Sequence, residues 1–189
     1  VYTLVGEEPW TPLRDAREFA SLLNACARME KPDVGIAVCM GDRSRGLEEA
    51  LSLLEEYRSR LARCLAKMQE PGVVEELGRL VVVHGGSWMG DRMVAAVASI
   101  VSSGMAGSGK VLVVYAFEED GKHAKISARV PPEGPEIDIG ALMRDLAARF
   151  SGLGGGHDVA AGARIPADSV GDFIRALGEA LRKAEARKS

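Results

Sequence analysis

Gly154, Gly155 and Gly156 run directly into His157, and three consecutive glycines suit a phosphate. Without side chains, and free to take positive φ, their amide N–H groups can turn inward around an anion. His157 adds one imidazole beside that cradle. The alternative is a flexible loop between a helix and a strand, with a histidine hydrogen-bonded for structural reasons. Lys125, Ser127 and Arg129 alternate along a second stretch, so a strand would set all three on one face, where they could bind successive phosphate oxygens. Alone, that pattern is a solvated strand face. With a glycine cradle in the same fold it points to recognition of a phosphoester.

A second glycine-rich segment, residues 104–110, meets the first seven positions of the phosphate-loop pattern G-x-x-x-x-G-K-[ST]. Val111 occupies the position where a hydroxyl would ligate magnesium. The segment also leads from a helical pattern into a strand pattern, the reverse of the order that aims a helix N-terminus at phosphate. It reads as a turn.

At 189 residues, 47% apolar and 27% charged, the chain can bury one substantial core. Its net charge of -3 repels a polyanion weakly, so any nucleic-acid contact must come from a local patch and stay weak and salt-sensitive. Cys26, Cys39 and Cys64 are odd in number and show no C-x-x-C spacing, which fits a reduced, cytoplasmic setting better than zinc or a disulfide. No signal-like stretch opens the chain and no run approaches the roughly 18 apolar residues of a membrane span, so no membrane partner is expected. The chain opens on Val1 rather than methionine, which leaves room for its being a fragment.

The elements that must position these residues follow from periodicity. Thr11 can cap a helix with Pro12 in its first turn and Ala16, Phe19, Ala20, Leu23, Cys26 and Ala27 on one apolar face, ended by residues 31–33. Residues 34–40 are a short apolar run compatible with strand or helix. From 44 to 69, Leu47, Leu51, Leu54, Tyr57, Leu61, Cys64 or Leu65, and Met68 recur at helical spacing over roughly 39 Å, at about 1.5 Å per residue. Pro71 and Gly72 stop that helix and divide a helical segment, 1–70, from an α/β domain, 71–189. In the second part, strands are expected at 80–84, 111–117, 124–130 and 159–165. Helices are expected at 91–102, from Asp138 to Phe150, and at 168–184, the last with a basic end at Arg182, Lys183, Arg187 and Lys188. The alternation argues for an α/β fold, a mixed sheet covered by helices.

Three phrases give the pattern a family. Leu23 to Met29 resembles the LNAxxRM helix, Ser127-x-Arg129 the SxR strand, and Gly154 to Gly162 the GGGHxxAAG signature of the DHH-associated domain in RecJ-like phosphoesterases. Order and spacing agree from about Leu13 to Ile174, and the phrasing is nearest to archaeal members. For residues 34–40, the resemblance favours a helix.

The resemblance implies a companion domain that closes over two manganese (or magnesium) ions held by aspartates and histidines in a separate DHH domain. Nothing in this chain matches that half: its histidines are His84, His123 and His157, with no DHH triplet and no Asp-x-Asp motif. Catalytic and metal-binding residues, and any cofactor, are therefore expected outside it. Val130 stands where many relatives carry a second hydroxyl after the SxR strand. The implied phosphate ligands are Gly154, Gly155, Gly156, His157, Ser127 and Arg129, supported by Lys125, with Asn24 and Arg28 facing the DHH domain. The implied partners are single-stranded DNA or RNA and a DHH catalytic domain in cis or trans. Some relatives have lost catalysis and serve a GINS-type replication complex, which makes a replisome scaffold the competing class. A phosphate-binding enzyme acting on a small molecule is a remoter third.

Overall fold

A computed structural model describes residues 2–186 and divides the chain into two compact units, Val1–Arg63 and Cys64–Ser189. The division falls inside the long helix described next.

The first unit is helical. A 3-10 turn at Pro12–Arg14 leads into α1 (Ala16–Arg28), followed by α2 (Pro32–Cys39) and α3 (Arg45–Lys67). Asp15, not Thr11, caps α1: its carboxylate accepts from Arg17 N at 2.8 Å, while the Thr11 hydroxyl donates to Glu8 O. Residues 31–33 do not end α1. Glu30 takes φ 62°, which turns the chain, and Pro32 opens α2, since a proline in the first turn forfeits only an N–H that has no helical partner. The buried stripe of α1 is Leu22, Ala25 and Cys26, closing on Leu13, Val34, Val38, Ala50 and Leu54. Ala20 and Ala27, expected on the apolar face, are exposed.

The second unit is a six-stranded mixed sheet. Its strands are β1 (Val74–Leu77), β2 (Leu80–His84), β3 (Val111–Phe117), β4 (His123–Arg129), β5 (Leu153–Gly156) and β6 (Ala160–Pro166), in the order β1-β2-β3-β4-β6-β5. Only β2 and β3 run parallel, and α4 (Val94–Ser103) makes their crossover. Alternation gives the sheet two covered faces. On one, Leu80, Val82, Val113, Ile126, Ala163 and Ile165 pack beneath α5 (Ile139–Arg149) and α6 (Val170–Ala186), whose Met143, Leu146, Phe173 and Leu177 are fully buried. On the other, α4 lies over β3 and β4.

Two strands were absent from the sequence pattern. β1 is four exposed residues at an edge, too short for periodicity. β5 contains the glycine triplet itself, which is an edge strand and not a loop. The expected helix at 91 begins later, at Val94, and Asp138 caps α5 as its position suggests, accepting from Ala141 N at 2.8 Å. Residues 104–110 form the turn from α4 to β3, with Lys110 paired to Glu76. Arg182 and Lys183 are exposed near the end of α6, and Arg187 and Lys188 lie outside the described residues. No helix among the described residues is long and apolar enough to cross a membrane.

Candidate phosphate-binding site

The face of the sheet beneath α4 carries the site. Register sets Ser127 opposite Gly162, and Gly162 opposite Gly155, in one row across β4, β6 and β5; Lys125 and Arg129 flank Ser127 two residues either way. Where α4 begins, the helix leaves this row uncovered. A cavity of about 280 Å³ opens there, lined by Lys125, Ser127, Arg129, Gly155, Gly156 and Gly162 together with Val94 and Ala95 of the first helical turn.

Each wall has a chemical consequence. Ser127 is only 4% exposed, and its hydroxyl accepts a 2.8 Å hydrogen bond from Arg129 Nη1, which donates also to Ala128 O. The guanidinium is thus held against the strand by backbone and serine, in a fixed orientation suited to an oxyanion. Lys125 Nζ pairs with Asp91 Oδ2 at 3.5 Å, a long and part-buried contact, so an anion in the cavity would compete with Asp91 for the ammonium. Met93, the residue before α4, makes no side-chain cap, and the first turn holds no acidic residue. The amides at that end have no helical acceptor, and the helix dipole favours negative charge there.

The four residues of the glycine signature separate into different roles. Gly155 and Gly156 line the cavity, whereas Gly154 packs against α5: a Cβ there would stand 2.5 Å from Met143 O and 2.8 Å from the Ala147 Cβ. Gly155 (φ 152°) and Gly156 (φ 151°) hold a conformation that disfavours side chains. At Gly155 an added Cβ would meet no protein atom nearer than Arg144 Nε at 3.8 Å, so within the protein its requirement is conformational. His157 follows β5 at the tip of a tight hairpin, where its N–H donates to Ala160 O at 2.9 Å. Its imidazole is exposed, lies outside the cavity lining and makes no polar contact among the described residues. Asn24 (exposed) and Arg28 (half-buried) share a face of α1 in the other unit.

Several lining or supporting positions escaped the sequence reading. Gly162 was visible in the signature but not singled out as a wall. Gly140 carries no motif, yet a Cβ on it would sit 2.5 Å from Gly156 O, so its hydrogen lets α5 close on the glycine strand. Val94 and Ala95 contribute through backbone position, which side-chain chemistry does not announce.

The remaining histidines serve structure. His84 Nε2 lies 2.9 Å from Glu75 Oε2 and its Nδ1 lies 3.2 Å from the Tyr115 hydroxyl. His123, at the β3–β4 turn, lies beside Asp120 and Glu118, and these three are the one group among the described residues whose ligand atoms could share an ion. Arg164 already occupies Glu118 through Nε and Nη2 at 2.8 Å each, and holds its carboxyl below the ordinary glutamate range. That trio, with Glu118 already spent on an arginine, does not fit a two-manganese centre.

Comparison with known proteins agrees with this architecture. The model of the DHHA1 domain matches residues 81–183. An uncharacterized protein of Methanocaldococcus jannaschii is 29% identical over 177 residues, covering 90% of this chain and 37% of its own length. Among solved structures, RecJ from Thermus thermophilus in complex with manganese superposes with a TM-score of 0.61 at 16% identity, over 89% of this chain and 24% of that one. A second exonuclease RecJ bound to manganese gives 0.59 at 19% identity, over 88% and 40%. The chain therefore spans well under half the length of these relatives. With a matched domain over more than half its residues, on the fold seen in RecJ, this chain belongs to the DHHA1 domain family.

Proposed function

We propose that this chain is the substrate-holding part of a DHH-family phosphoesterase and grips the phosphate backbone of single-stranded nucleic acid in the cavity under α4. The observation that carries the reading is the convergence of Lys125, Ser127 and Arg129 with the uncapped start of α4 on one cavity floored by glycines. Arg129 supplies a fixed fork of donors and Ser127 a buried hydroxyl. Gly155, Gly156 and Gly162 let the sugar-phosphate chain approach the sheet. His157 stands at the rim with Gly154 holding the strand in place. Donors of this kind read the backbone and not the bases, so sequence preference is expected to be slight.

Hydrolysis belongs elsewhere in this reading. Manganese, or magnesium, would be bound by aspartates and histidines of a DHH domain, in cis or in trans, and would supply the activated water. Asn24 and Arg28 are the residues proposed to meet that domain.

The test has two arms. The 189-residue chain should release no nucleotides from single-stranded DNA with manganese, and joining it to its DHH region should give manganese-dependent degradation. Arg129→Ala should abolish that activity and weaken binding of the isolated chain at low salt. A joined protein that binds single strands, associates with a GINS-type complex and cuts nothing would favour the scaffold class. Unchanged affinity in Arg129→Ala would remove the cavity from consideration.

A further inference from the structure

α5 turns Gly140, Met143 and Ala147 toward β5, at spacings of three and four. Because neither Gly140 nor Gly154 carries a methyl group, the helix and strand backbones approach unusually closely. That approach brings Arg144, on the flank of the same helical face, to the strand: Nε lies 3.8 Å and Nη2 4.0 Å from where a Cβ on Gly155 would stand. Gly155 is also a wall of the cavity that holds Ser127 and Arg129. One glycine, in the edge strand of the sheet, is therefore common to both.

Arg144 is exposed and makes no hydrogen bond or ion pair among the described residues. An ordinary solvated arginine would look the same in isolation. The difference lies in its place: no side chain stands at Gly155 or Gly156 to separate it from the cavity side, and Asp145, the nearest acid in sequence, projects about 100° around the helix.

Resting on the phosphate-site reading above, we infer that Arg144 is a second phosphate subsite, reached by a strand that leaves the cavity and crosses the β5 edge. The ligand class this selects is an oligonucleotide with at least two phosphates. A mononucleotide fills the cavity and goes no farther.

The experiment compares the 189-residue chain with its Arg144→Ala, Arg144→Lys and Arg129→Ala variants by NMR shift titration, which measures millimolar binding. The probes are adenosine monophosphate and a thymidine hexanucleotide at low salt. Arg144→Ala should weaken the hexanucleotide roughly two- to fivefold, the size of one exposed ion pair, leave the mononucleotide unchanged, and lower the salt slope by about 0.7, the contribution of one phosphate on a single strand. Arg144→Lys should recover part of the loss. Unchanged hexanucleotide affinity, or an equal loss with both probes, overturns the second subsite. If Arg129→Ala still weakens both probes, the cavity reading survives that result; if it weakens neither, or if the parent chain binds neither, both readings fall together.

Discussion

The chain has two glycine-rich segments, residues 104–110 and 152–156, and the fold uses them in opposite ways. In the first, Gly107 (φ 70°) and Gly109 (φ 64°) serve a turn, and an added Cβ would meet only side chains, 3.6 Å from Glu133 Oε2 and 3.1 Å from Arg79 Nη1. In the second, the glycines are demanded by other backbones. Gly152, Gly154 and Gly156 each lie where a methyl group would strike main-chain atoms of a neighbouring element. Composition identifies glycine; only the neighbours decide whether it is there for a dihedral angle or for close approach.

That difference predicts the largest effect. Gly154→Ala must move α5 away from β5, because Met143 O is part of a helix and cannot turn aside. The cost should be about 1–3 kcal/mol, as for an overpacked core. Gly107→Ala faces a left-handed penalty of about 1–2 kcal/mol, offset by about 0.4–1 kcal/mol from the stiffer unfolded chain, for a smaller net loss. Denaturant unfolding of the two variants checks this ordering, and a greater loss in Gly107→Ala would show that close approach is not what fixes Gly154.

The same contrast explains what could be read in advance. The central strands and α5 follow from plain patterns: 111–117 is continuously apolar, and Asp138 precedes a helical stripe. The SxR strand and the glycine signature located the cavity walls, because their chemistry is carried by side chains or by their absence. What stayed hidden depends on pairing and packing between elements, which no single segment's pattern carries. A glycine triplet contains no β signal, and it becomes a strand only because Ala161, Gly162 and Ala163 of β6 pair with it while α5 closes over it. Arg144 and Gly140 looked like ordinary helix residues, since nothing local reveals that the facing strand has no side chains.

His157 stands at the motif's far end. It is the one member of the signature with a functional group, and the one whose side chain the fold leaves unused. His157→Ala should melt within about 0.5 kcal/mol of the parent, as expected for an exposed side chain without partners, while binding of the hexanucleotide falls if the imidazole meets phosphate at the rim. A calorimetric melt showing a large drop would mean that the hairpin tip depends on the ring.

The smallest effect concerns charge and not glycine, at the β3–β4 turn. Arg164 bonds to Glu118 through two nitrogens, and this bonding, ahead of the opposing effect of burial, lowers the Glu118 pKa. The sign follows from linkage: a carboxyl that titrates lower in the folded than in the unfolded state stabilises fully above the ordinary glutamate range, and that stability is lost as pH falls through the lowered value. Arg164 is half-exposed, so solvent screening keeps the contribution small. Arg164→Gln should therefore cost a little stability at neutral pH and nothing once the carboxyl is protonated, so parent and variant melting curves should converge in acid. Because Arg164 lies on β6 opposite Leu153 of the glycine strand, the substitution also tests whether that strand depends on charge. Convergence in acid with hexanucleotide binding intact would assign the pair to the hairpin alone, whereas a parallel loss of binding would mean that Arg164 helps to hold β5 beside the cavity.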